Sequence, residues 1–121
     1  MVVVEKKRRV GHMTHVTART AAGVLEGVWH GAEPEVGNSY AVEVDVHDAL
    51  AWGETLLACE DEPRLECGTC VGCVEALDEH GLVVCVAGGL MRLTPTGAAP
   101  VPPPARVRFE ARKVTLSDTD I

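Results

Sequence analysis

ECGTCVGCVEALDEHGLVVCVAGGLMRL, residues Glu66 to Leu93, is the stretch that decides the fold. It consists of an apolar run, four turn-forming residues and a second apolar run of similar length. Asp78, Glu79, His80 and Gly81 fit a type I turn closed by a glycine in a left-handed conformation. Val74 to Leu77 and Leu82 to Val86 are rich in residues that suit a pleated, half-buried surface. The pattern predicts a β-hairpin, and the hairpin from Cys73 to Leu93 becomes the reference for the rest of the chain.

Upstream, the same period of two recurs. Val16, Ala18, Thr20 and Ala22 share one side of a strand that bends at Gly23 and runs on to Trp29, with Glu26 and His30 on its polar side. Residues 31–39 have the composition of a loop. Tyr40, Val42, Val44 and Val46 alternate with Ala41, Glu43, Asp45 and His47, which predicts a strand with one buried and one wet face. A turn from Asp48, broken by Gly53, then leads into a strand over 55–59. Glu60-Asp61-Glu62-Pro63 ends that strand as a surface loop.

Downstream, the segment Thr94 to Ala105 contains five prolines and is expected to be a stiff connector. In the last strand Val107, Phe109 and Ala111 occupy one face, but Val114 and Leu116 fall on the parity of the arginines. That phase change predicts a β-bulge near Arg112-Lys113. Five or six strands and no convincing helix give an all-β chain, a small and mostly antiparallel barrel. Its strand count resembles that of an OB-like barrel, a likeness of architecture that implies no function. The expected organisation is a flexible basic arm over 1–12, a single barrel domain over 13–117 and a frayed tail over 118–121.

Composition narrows the function classes. The chain has 121 residues, a formal net charge of −7 and only four aromatic residues, Trp29, Tyr40, Trp52 and Phe109. No apolar run reaches the roughly 18 to 20 residues that a membrane helix needs. The start places its apolar residues before the basic ones, the reverse of a signal peptide, so a cytoplasmic protein with reduced thiols is expected. Outside residues 1–12 there are seven basic and seventeen acidic residues, and between Glu26 and Glu79 fourteen carboxylates face a single arginine, Arg64. A field of that sign repels nucleic-acid phosphates and anionic membranes and attracts basic proteins. Single-strand nucleic-acid binding also needs stacking aromatics in a basic groove, which this composition does not offer.

The motif with chemical potential is Cys67-x-x-Cys70-x-x-Cys73, with Gly68 and Gly72 in its gaps. Such spacing serves zinc and iron–sulfur sites because a tight turn brings two sulfurs to one metal. Cys59, Cys85 or His80 are the available fourth ligands. Against a metal, the second Cys-x-x-Cys pair of a zinc ribbon is missing, and in a regular strand Cys70 points away from Cys67 and Cys73. The bland alternative is that the cysteines are small buried hydrophobes. Neither Ser39 nor Ser117 lies in a nucleophile-elbow context, and no glycine-rich phosphate loop precedes a helix. The sequence therefore leads to a non-enzymatic module without a cofactor. Its acidic residues Glu43, Asp45, Glu60, Asp61, Glu62, Asp78 and Glu79 are expected to engage a basic protein partner, as inhibitors of the immunity type do. A zinc, iron–sulfur or redox module centred on Cys67, Cys70 and Cys73 is the alternative.

Overall fold

Alternation of valine or leucine with polar residues runs through most of the chain, and nearly every stretch that carries it is a strand. A computed structural model describes residues 1–66, 68–86 and 89–119. The strands are β1 (Val2–Val10), β2 (Met13–Thr20), β3 (Gly23–His30), β4 (Ser39–Tyr40), β5 (Val42–Val46), β6 (Leu57–Ala58), β7 (Arg64–Glu66), β8 (Thr69–Asp78), β9 (Gly81–Val86), β10 (Gly89–Leu93), β11 (Arg106–Glu110) and β12 (Val114–Asp118). No helix occurs among the described residues, so none is long and apolar enough to cross a membrane. The chain is all-β.

The twelve strands belong to one sheet in the order β4-β1-β2-β3-β12-β5-β10-β9-β8-β11-β6, with β7 paired to β8 beside this path. Two meanders, β1-β2-β3 and β10-β9-β8, are joined through β12 and β5. The joins are parallel, β3 with β12 and β5 with β10, while β12 and β5 run antiparallel. The path has two free ends, so the sheet does not close as the expected barrel would. It does curl back on itself: Leu65 N, on β7, donates to Ala22 O at 3.3 Å beside the β2–β3 turn. One apolar cluster fills the concave side, with Val4, Ala18, Leu56, Leu82, Leu93, Val107 and Leu116 wholly buried.

The turn of the reference hairpin forms as expected, but its second arm does not run on to Leu93: β9 ends at Val86 and β10 lies antiparallel to it, with Gly89 opposite Val86. Asp78 pairs with Gly81 across a two-residue turn, and Gly81 has φ 130. The Asp78 carboxylate accepts from His80 N at 2.7 Å and so closes the turn. Between Val74 and Ala76 the register slips, which makes Glu75 a bulged residue. Residues 94–105 connect β10 to β11 as the prolines require.

Several expectations need correction. Residues 1–12 are not a flexible arm. Val2 and Val4 are buried in the core and β1 pairs with β2 and β4, so the apolar start docks while the basic residues continue along β1 at the outer side of the β1-β2-β3 meander. Gly11-His12 is the β1–β2 turn, with Val10 opposite Met13. The long strand bent at Gly23 is two strands. Thr20 Oγ1 accepts from the amides of Ala22 and Gly23 and donates to Gly23 O, which folds the chain into a hairpin. A side chain at residue 23 would strike Leu65 O, so only glycine allows β7 to approach. The tail is not frayed at its start: Asp118 lies in β12 and Thr119 is bonded to Ala41 O, whereas Asp120 and Ile121 lie outside the described residues.

The phase change after Ala111 is real, but it is not a bulge. The chain leaves β11, which pairs with β8, and becomes β12, which lies between β3 and β5. Asp48 holds this switch. Its carboxylate accepts from Arg112 N at 3.0 Å and from Lys113 N at 2.8 Å, satisfying two amides that belong to neither ladder. Breaks such as this one and the one at Ala41 explain why a chain expected to have five or six long strands shows twelve among the described residues.

Val4→Ala removes a fully buried side chain and should lower unfolding free energy by about 2 kcal/mol. Deleting residues 1–12 should cost more, and a urea midpoint unchanged by that deletion would contradict the docked strand. Asp48→Ala should cost about 1.5 kcal/mol through the two uncapped amides, with Asp48→Asn losing less because one side-chain oxygen still accepts.

Candidate functional site

The seven candidate carboxylates lie outside the apolar core, but they fall into three groups. Glu43 and Asp45 alternate with the core residues Val44 and Val46 on β5, so both side chains point outward. Asp45 sits opposite Arg92 of β10, and Arg92 Nη2 approaches Glu43 Oε1 at 3.9 Å.

Glu60, Asp61 and Glu62 form the loop between β6 and β7. Arg106 Nη1 donates to Glu60 O at 3.3 Å and to Asp61 O at 3.0 Å and stands 3.9 Å from the Glu62 carboxylate. Asp61 also lies 4.0 Å from both Arg64 and Arg108. Arg64 and Arg108 flank Val71, which is fully buried although it lies apart from the main core. The Asp61 and Glu62 carboxylates and the two backbone carbonyls therefore serve the fold by holding a loop against the outer side of the sheet. Each ion pair at such a surface is worth no more than about 1 kcal/mol. The sequence placed Glu60–Glu62 on a loop correctly and had Arg64 beside it, but did not reveal Arg106 and Arg108, which come from a strand more than forty residues away.

Asp78 and Glu79 occupy the tip of the β8–β9 hairpin. Glu79 has a side chain 86% exposed, and among the described residues the one basic group beside it is the His80 ring, at 3.5 Å. The bulge adds Glu75, an exposed carboxylate that sequence reasoning missed. Its signal was present: Glu75 interrupts the apolar order of Val74, Ala76 and Leu77. Three strand spacings, about 14 Å along the sheet, separate β5 from β8, so the β5 pair and the hairpin tip are distinct patches.

The cysteines divide by side of the sheet. Cys70 pairs with Phe109, is wholly buried and packs in the main core. Gly72 lies on the same side, and a side chain there would collide with Val84 and Val86, so that glycine makes room in the core rather than a metal-binding turn. Cys73 lies three residues beyond Cys70 and faces the other way, opposite Cys85 on β9 and Arg106 on β11. Cys59 N donates to Arg106 O, one strand further along. Cys67 lies outside the described residues. Among the described residues no three of histidine, cysteine, aspartate and glutamate come together as a metal would need, and Cys70 cannot share a ligand set with the outward Cys73.

Burial pushes the Cys70 thiol up to about 12, with Glu110 and then Asp48 adding to the effect. Below an unfolded-state value of 9.0 the thiol is protonated in both states and contributes no pH dependence. Above that the unfolded chain loses its proton first, so stability should fall as pH rises from 9 toward 12. In urea titrations across that window the Cys70→Ala variant should show a shallower decline; an equal decline would contradict the buried thiol. A scan against protein-family models matched nothing, and searches of curated proteins and of solved structures returned no significant match.

Proposed function

We propose that this protein is a non-enzymatic binding module that engages a basic protein through the carboxylates of its β8–β9 hairpin tip. The observation that carries this reading is the contrast between the acidic groups. The Asp61 and Glu62 carboxylates are matched by Arg64, Arg106 and Arg108, and Arg106 also holds the backbone carbonyls of Glu60 and Asp61. Glu75 and Asp78 make no ion pair among the described residues, and Glu79 has only a histidine beside it. Charge left unmatched on a projecting turn is available to a partner at little desolvation cost.

The β5 pair, Glu43 and Asp45, supplies a second patch in which Arg92 offsets part of the charge. The net charge of −7 supports long-range steering toward a basic surface. A hairpin presenting three carboxylates at a bulge and tight turn suits insertion into a basic cleft, the physical solution used by immunity-type inhibitors. β10 pairs with β9 as far as Leu82 and braces one flank of the hairpin close to its tip, which lowers the ordering entropy that opposes binding.

Immobilised protein should capture a basic protein from its native host at low salt, and association should slow by about tenfold or more as ionic strength approaches physiological values. The triple variant Glu75→Gln, Asp78→Asn, Glu79→Gln should lose that partner while keeping its urea midpoint. Capture that ignores salt, or survives in the triple variant, would remove the hairpin tip from consideration.

A further inference from the structure

The outward side of β8 and β9 places two thiols in register. Cys73 and Cys85 are direct cross-strand partners, both are free and both are half-buried, so each is reachable from solvent. Their neighbours in the same row are Arg106 on β11 and the exposed Leu90 on β10.

The backbone defines what kind of pair this is. Val74 N donates to Ala105 O on the β11 side at 2.9 Å, so the adjacent Cys73 amide is turned toward β9. Cys73 and Cys85 are therefore a hydrogen-bonded antiparallel pair, for which Cα atoms stand about 5.5 Å apart. That separation falls within the 4.4–6.8 Å that a disulfide spans. Their Cβ atoms, at about 4.5–5.5 Å, are wider than the usual 3.5–4.5 Å of a disulfide, so closing the bond pulls the strands locally and leaves it easily reduced. The register slip at Glu75, two residues from Cys73, gives β8 a place to absorb the shift.

We infer that Cys73 and Cys85 form a reversible dithiol–disulfide pair whose oxidant is a low-molecular-weight disulfide. In the first step one cysteine thiolate attacks a sulfur of the small disulfide, forming a mixed disulfide and expelling one small thiolate. In the second the other cysteine thiolate attacks the protein-bound sulfur and expels the second small thiolate. The protein gives up two electrons and two thiol protons, and the small disulfide leaves as two thiols. The closed bond fastens the middle of the hairpin below its acidic tip. This inference stands independently of the proposed binding function.

Two strand spacings, about 10 Å, separate Cys59 from Cys73, beyond the reach of a disulfide, and Cys70 points into the core. Native protein incubated with oxidised glutathione, quenched in acid, digested and analysed by mass spectrometry should give one linked peptide pair, Cys73 with Cys85, lighter by two hydrogen atoms and carrying no glutathione on either, while the half-buried Cys59 takes a glutathione adduct. Excess reduced glutathione should restore the original mass. Cys59→Ala should form the same bond without that adduct, whereas Cys85→Ala should stop at a glutathione adduct on Cys73. Adducts on both thiols without an internal bond, a bond to any other cysteine, or a bond that resists excess reduced glutathione would overturn the inference.

Discussion

The carboxylate of Asp48 fixes where one strand ends and another begins, and the sheet depends on that point. A chain of alternating residues that keeps its hydrogen-bonding neighbours keeps its facing; one that changes neighbours leaves amides without partners. Arg112 and Lys113 are such amides, and Asp48 accepts from both. Because the chain can stop pairing with β8 there, Val114 and Leu116 reach the core between β3 and β5. Without that crossing the N-terminal meander and the hairpin meander would have no shared strand beyond the short contacts at β7. The crossing that lets one core form is thus capped by one charged side chain on a loop.

The same alternation sorts chemistry from packing. Inward positions hold valine, leucine and the Cys70 thiol, and no buried side-chain nitrogen or oxygen among the described residues lacks a hydrogen-bond partner. Outward positions hold the carboxylates, the arginines that restrain some of them, and the thiols of Cys73 and Cys85. Parity separates two cysteines of one motif into unlike environments: Cys70 is held protonated by burial, while Cys73 meets a second thiol on the adjacent strand. Arginine placement has a similar sorting effect on the acids, tying down the 60–62 loop and leaving the hairpin tip unmatched.

Local signals were legible in the sequence. The hairpin turn at 78–81, the alternation of 42–46, the proline connector and the opposite facing of Cys70 and Cys73 were all readable from residues within a few positions of one another, whereas the division of 82–93 into two antiparallel strands was not. The phase change after Ala111 was also visible, but its cause was not, because Asp48 lies more than sixty residues away. Residues 1–12 misled for a related reason. Lys6 to Arg9 dominate their composition, whereas Val2 and Val4 decide their fate by burial against strands that sequence alone does not place beside them. Cys73 and Cys85 were both in view in the sequence, yet the Cys-x-x-Cys spacing drew attention to neighbours along the chain rather than to the partner across the hairpin.

Proton–proton contacts measured by nuclear magnetic resonance across β12 test the central crossing most directly. Thr115 is opposite Val28 on one side and Asp45 on the other. Backbone contacts from Thr115 to both residues are the expected result. Contacts that instead carry residues 114–116 along β8, as a continuous bulged strand would, would contradict the crossing and the single core built on it.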